Sequence, residues 1–184
     1  MGKHLVSSKK EKSRSKELLS YLLVILCAAL VSVLFRIFVF EPFVVPTPSM
    51  EPTLMVNDKV IVNKFSYKYF GIERGEVIVF HSPVDNNKDL VKRAIAFEGE
   101  TVTLKDDGSI YINDKKLEED FYNPEDKPLY TEQSFKIGRD EIFVMGDNRN
   151  NSYDSRYFGP IMKSEIFGKV FFIYWPPSRV KIVK

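Results

Sequence analysis

A serine held between prolines, in Pro48-Ser49-Met50-Glu51-Pro52-Thr53-Leu54, is poorly suited to core packing and well suited to chemistry. A second stretch, Gly146-Asp147-Asn148-Arg149-Asn150-Asn151-Ser152-Tyr153-Asp154-Ser155-Arg156, is too dense in small and charged groups to serve as core. Between them, Leu90-Val91-Lys92-Arg93-Ala94-Ile95 sets a lysine inside an apolar run. A hydroxyl, a lysine open to desolvation and a polar supporting loop suit a hydrolase whose base is not histidine.

A serine hydroxyl is a weak nucleophile until a neighbouring base takes its proton. The two histidines are badly placed for that work. His4 lies in the basic N-terminal tail, and His81 ends a strand-like run before Ser82-Pro83, where it is expected to face solvent. Lysine can replace histidine, but its ordinary pKa of about 10.4 must fall by roughly 3 for neutral-pH work, about 4 kcal/mol. Burial favours the neutral amine and can supply a shift of that size. In an extended run Lys92 and Arg93 point to opposite sides, which lessens their repulsion. Arg93 then needs an acid, and Asp147 or Asp154 in the later loop is available. A strand lysine ordinarily ends on a solvated edge; the Ser49 segment and the polar loop favour burial here.

The elements that must position these groups begin with an anchor. Leu18 to Phe35 is an uncharged run of 18 residues, extended beyond Arg36 by Ile37-Phe38-Val39-Phe40. About 20 apolar residues in a helix span a bilayer. Residues 18–40 are therefore expected to form a single transmembrane helix in the phospholipid membrane, with Arg36 reaching the outer headgroups. Six bases and one acid in residues 1–16 predict a cytoplasmic tail over 1–17, with 41–184 extracytoplasmic. A cleavable signal peptide is the competing reading. Its apolar core is about 7–15 residues followed by a small-x-small site, whereas this run is longer and is followed by bulky Phe38 and Phe40. Cys27, the single cysteine, lies in the run and reads as a small hydrophobe.

The formal net charge of +2 hides an asymmetry: outside the first 16 residues the chain carries 21 bases and 24 acids. Without a basic excess on the folded part, a nucleic-acid partner is not expected.

From Val56 the sequence alternates short β-type runs with turn residues. Strands are expected at 59–63, 76–81, 90–97, 101–105, 109–112, 141–145 and 169–175. Asp106-Asp107-Gly108 is a hairpin signal, and Asn113-Asp114 marks a further turn. Glu118 to Gln133, acidic and containing Pro124 and Pro128, reads as a surface excursion. Helical periodicity is missing after the anchor, apart from a turn at Lys163 to Phe167. The expected fold class is mainly β, as small packed sheets or a distorted barrel after one transmembrane helix. Phe43-Val44-Val45-Pro46 is expected to run extended along the membrane surface, because proline holds the preceding residue out of the helical region.

With these residues in view, the chain resembles the bacterial type I signal peptidases, membrane-bound serine–lysine proteases that remove signal peptides from exported proteins. Ser49-Met50-Glu51-Pro52-Thr53-Leu54 matches the nucleophile box, Asn57-Asp58-Lys59-Val60-Ile61-Val62 the next strand, and Lys92-Arg93 the base box. Gly146-Asp147-Asn148-Arg149 with Ser152, Asp154, Ser155 and Arg156 matches the last box. One such box is weak evidence; four in order are strong.

The resemblance implies Ser49 as nucleophile and Lys92 as general base. It implies an oxyanion hole from the Ser49 N–H and the Thr47 hydroxyl, and Ser152 orienting the lysine. It also implies a structural pair of Arg93 with Asp147, and a second of Asp154 with Arg156. Val45, Met50, Leu54 and Val91 are the candidate walls for small side chains of an extended signal peptide, cut after small-x-small motifs. No metal and no cofactor is expected; preprotein signal peptides are the expected partners, with the secretion translocon nearby.

This chain departs from the family after Lys92-Arg93. Ala96, Phe97 and Glu98 precede Gly99-Glu100, and alanine is disfavoured at position 96 if that position requires a positive φ. Other serine–lysine proteases are the nearest rivals, and a self-cleaving repressor among them would need a DNA-binding domain where this chain has an apolar run. A penicillin-binding enzyme needs Ser-x-x-Lys on a helix, but Ser49 is followed by Met50-Glu51-Pro52. A membrane-tethered β domain without activity has no use for both Ser49 and Lys92.

Overall fold

The computed structural model describes residues 3–85, 87–119 and 131–183, with side chains from residue 17 onward except 36–38. Arg36 and His4 therefore lie outside the described side chains, and most of the expected 118–133 excursion lies outside the described residues. The chain divides into two compact units at Val39/Phe40.

The first unit is one helix, α1 (Lys3–Phe38). Its segment Glu17–Phe35 has a mean hydropathy of 2.8, and none of it is buried by protein. Length and composition suffice to cross a bilayer.

The second unit is mainly β, as expected. Its strands are β1 (Phe40–Val44), β2 (Lys59–Asn63), β3 (Val77–His81), β4 (Asp89–Phe97), β5 (Thr101–Leu104), β6 (Ile110–Ile112), β7 (Lys115–Lys116), β8 (Gln133–Lys136), β9 (Glu141–Met145), β10 (Ile161–Met162), β11 (Ile166–Trp175) and β12 (Lys181–Ile182). The larger sheet has the order β1-β2-β11-β3-β4-β9-β10, with β12 on β11; the smaller has the order β7-β6-β5-β8. Every pairing is antiparallel.

Val77-Ile78-Val79-Phe80 reads as a continuous apolar run because both faces of β3 are covered. Val77 and Val79 enter one core cluster with Val60, Val62 and Leu54, while Ile78 and Phe80 enter another with Ala94, Ile142 and Val144. Alternate side chains of a strand leave opposite faces, so such a strand cannot show polar alternation. A third cluster, with Val102, Leu104, Ile110, Phe143 and Met145, joins the two sheets.

The seven expected strands are all present, with ends moved by up to three residues. The expected hairpin joins β5 to β6. The Asn113-Asp114 turn joins β6 to β7, with φ of 48° and 66°, a geometry asparagine and aspartate tolerate. Two short helices, α2 (Ser66–Phe70) and α3 (Ser155–Phe158), were not expected. Neither were β7, β8, β10 and β12, three of which are only two residues long. Ala96 lies within β4, and the φ of +82° falls on Gly99, so alanine meets no left-handed requirement at its own position. Glu100 fixes that turn through the Phe97 N–H and pairs with Arg74.

Candidate active site

Ser49 sits in a 3-10 turn, Pro48–Met50, which follows β1 after Val45-Pro46-Thr47. Proline at the first turn position is preorganised for such a start, because its φ is fixed and it has no N–H to satisfy. Thr47 immediately before the turn is extended, and its Oγ1 lies 3.3 Å from Ser49 Oγ. The turn is held from the other end of the chain. Asn148 donates its main-chain N–H to Ser49 O at 3.1 Å and its Nδ2–H to Pro48 O at 3.2 Å.

β4 brings up Lys92. It is paired through β3 along Asp89–Arg93 and through β9 along Arg93–Phe97. Lys92 is only 3 % exposed, and its Nζ lies 2.7 Å from Ser49 Oγ and 2.9 Å from Val91 O. Burial pushes its pKa down to about 8; the carboxylates of Asp154 and Asp147 oppose that shift, and the Arg156 cation assists it. The amine can therefore lose its proton near neutral pH while touching a hydroxyl.

Arg93, the next residue, departs from Lys92 and meets Asp147 through two bonds, Nε to Oδ1 at 2.8 Å and Nη2 to Oδ2 at 2.6 Å. It also donates to Thr53 Oγ1 at 3.1 Å and to Gly75 O. Asp154 and Arg156 form the second pair, with Nε to Oδ1 at 2.7 Å and Nη2 to Oδ2 at 2.8 Å. Asp154 also accepts from the Gly146 N–H at 2.9 Å. Each guanidinium meets its carboxylate as a planar two-point fork, which lysine could not reproduce.

Two assignments need correction. Ser152 is buried beside Ser49, but its hydroxyl donates to Asp154 Oδ2 at 2.7 Å, and among the described residues it makes no bond to Lys92. The fully buried carboxylate is the stronger acceptor and takes the one O–H. Leu54 is fully buried in the core with Val60 and Val62 and is not among the residues lining the cavity at Ser49; its N–H donates to Met50 O. Val45, Met50 and Val91 do line one, a cavity of about 470 Å³ shared with Thr47, Ser49 and Lys92. His81 is exposed, bonded to Asp89 at 2.8 Å, and is not part of this group.

Several contributors carried no individual signal. In the sequence Asn148 and Gly146 stand out only as members of a polar loop. A Cβ on Gly146 would collide with Ser152 Oγ and Ser49 O, which explains glycine at a position without a positive φ. Buried Asp58 fixes the loop after Ser49, accepting from Met55 N–H at 2.9 Å and from Arg179 at 3.0 Å. An aspartate beside a strand start carries no mark of a partner 121 residues away.

The sequence pattern of the family described as "Signal peptidase, peptidase S26" matches residues 18–175. A probable signal peptidase I-2 of Synechocystis sp. is 36% identical over 96% of this chain and 82% of its own. Signal peptidase IB of Staphylococcus aureus is 36% identical over 90% of this chain and 94% of its own. A crystal structure of a signal peptidase I from Enterococcus faecalis is 30% identical, with a TM-score of 0.48 over 53% of this chain and 95% of that one. With a family pattern running from the apolar helix to the end of β11, the chain belongs to the signal peptidases of the peptidase S26 family and is an enzyme of that class.

Proposed function

We propose that the chain is a single-pass membrane serine endopeptidase that uses a Ser49–Lys92 dyad to remove N-terminal signal peptides from exported preproteins after small-x-small motifs. The observation that carries this reading is an amine with a pKa of about 8 lying 2.7 Å from a hydroxyl in a cavity lined by Val45, Met50 and Val91. The neutral amine of Lys92 accepts the Ser49 proton as Oγ attacks the scissile carbonyl carbon. The developing oxyanion takes hydrogen bonds from the Ser49 N–H and the Thr47 hydroxyl; one such donor is worth about 2.7–4 kcal/mol. The Lys92 ammonium then protonates the departing amine, and water, deprotonated by the same lysine, hydrolyses the acyl-enzyme.

Substrate placement follows from free strand edges. Among the described residues, β9 pairs with β4 only from Arg93 onward, so Asp89–Lys92 keep an open edge beside the cavity. An extended peptide adds to such an edge through main-chain bonds. Its alternate side chains then face the same wall, where Val45, Met50 and Val91 leave room for small groups. This accounts for small residues at the first and third positions before the cut. Ser152 supports the site through Asp154.

The basic tail places the N terminus in the cytoplasm and the protease domain on the outer side, where preproteins leave the translocon. Cleavage of a purified preprotein in detergent by wild type, Ser49→Ala and Lys92→Ala tests the dyad. Both variants should be at least about a thousandfold slower, as for other activated nucleophiles. Wild-type turnover in either folded variant overturns it.

A further inference from the structure

We propose that the Asn148 side chain is a positioning residue that aims the Ser49 N–H at the oxyanion, a role that rests on the Ser49–Lys92 reading. A peptide unit is planar, and in the trans form its C=O and N–H point in opposite directions. The Pro48–Ser49 bond is not among the cis bonds of the described chain. A hydrogen bond that fixes the Pro48 carbonyl therefore fixes the direction of the Ser49 N–H on the other side of the same plane. Asn148 Nδ2 supplies that bond at 3.2 Å.

The neighbouring contacts make this grip stiff. The Asn148 main-chain N–H holds the next carbonyl, Ser49 O, at 3.1 Å, so one residue grips both carbonyls that flank the Ser49 Cα. Asn148 is itself anchored between Asp147, locked to Arg93, and the 3-10 turn Arg149–Asn151, whose Asn151 N–H bonds to Asn148 O at 3.0 Å. Thr47, the other oxyanion donor, is a side chain and can rotate. The N–H can turn only with its whole peptide plane. Catalysis by fixed donors depends on their being aligned before charge develops.

Substitution at 148 deletes only the side-chain bond and keeps the main-chain one, so the two contributions separate. Asn148→Ala removes the donor; Asn148→Asp, nearly the same shape, replaces it with an acceptor that repels Pro48 O. The full chain in detergent would be assayed with a preprotein and with a peptide aldehyde ending in alanine. Ser49 Oγ adds to the aldehyde carbon, the C=O π pair moves onto oxygen, and the hydroxyl proton passes to Lys92. Nothing leaves, so the adduct mimics the tetrahedral oxyanion. Its stoichiometry also counts competent sites and normalises kcat for any misfolded fraction.

Both variants should lose about 10–100-fold in kcat, below the loss of a whole oxyanion donor. KM should stay within about twofold, aldehyde affinity should fall by the same factor as kcat, and the alkaline midpoint of the rate should not move in Asn148→Ala, which adds no charge. Unchanged kcat, a loss confined to KM, undiminished aldehyde affinity or a displaced pH midpoint in the alanine variant would each overturn the role. If the wild-type chain forms no aldehyde adduct, or Ser49→Ala cleaves normally, the dyad itself fails and the Asn148 role goes with it.

Discussion

Arg93 and Asp147 stand 54 residues apart in sequence and meet inside the protein through two parallel hydrogen bonds of 2.8 and 2.6 Å. Because Arg93 also reaches Thr53, the pair ties together the Ser49 segment, the strand carrying Lys92 and the Gly146–Arg156 loop. Removing one partner of a buried pair leaves an uncompensated charge and costs about 3–5 kcal/mol. Asp147→Asn should destabilise the β domain by that amount in denaturant unfolding. Arg93→Lys keeps the charge but loses the fork and should still be clearly less stable than wild type. Wild-type stability in both variants would mean that the pair has no such structural role.

The Lys92 amine titrates near 8 because it is buried. In the proposed mechanism its neutral form is the base, so kcat/KM should rise with pH, reach half its plateau near 8 and fall about tenfold per pH unit on the acid side. Asp147 and Asp154 both favour the protonated amine, so a folded Asp147→Asn protein should reach half-plateau at a lower pH. A rate independent of pH between 6 and 9 argues against lysine as base.

Burying this lysine also costs stability. Moving an amine from its ordinary value to about 8 corresponds to roughly 3 kcal/mol. The folded pKa is lowered, so the penalty is fully present below about 8 and is relieved as pH rises toward the unfolded value near 10.4. Lys92→Met, similar in shape and uncharged, should therefore be inactive yet more stable, by about 1–3 kcal/mol near pH 7. The gain should shrink toward pH 10. Unfolding curves at the two pH values decide this, and equal differences at both would refute the linkage.

Gly146 gives a steric test. An alanine methyl there meets Ser49 O, a main-chain atom that cannot swing aside, as well as Ser152 Oγ. Overpacking of this kind costs about 1–3 kcal/mol. Gly146→Ala should lower thermal stability accordingly and reduce kcat far more than its folded fraction explains, since Ser49 must move.

Val45 and Leu54 should separate specificity from stability. Val45→Phe puts bulk into the 470 Å³ cavity and should reduce kcat/KM for alanine-type substrates by about tenfold or more, while overpacking of this buried position costs at most about 1–3 kcal/mol of stability. Leu54→Ala should cost about 2–5 kcal/mol of stability and leave substrate preference alone. Cleavage of a substrate series beside unfolding measurements would distinguish the two; a preference change in the Leu54 variant would return that residue to the pocket wall.

Much of this protein is written locally. The apolar helix, the seven expected strands, the Asp107-Gly108 hairpin and the Ser49, Lys92 and Gly146–Arg156 segments follow from composition, alternation and turn chemistry, because each depends on neighbours in sequence. Even the divergent Lys92 and Arg93 follow from the two-residue repeat of a strand.

What tertiary structure decided lies in the long-range contacts. Two-residue strands such as β10 and β12 have almost no local signal and exist because a partner strand offers its edge. Ser152 and Leu54 sit in the expected segments, but only packing decides which acceptor one hydroxyl reaches and which side of a turn a leucine takes. A hydrogen bond has direction and a core has finite volume, and neither is recorded in residue order; the grip of Asn148 on a turn a hundred residues earlier is visible only in space.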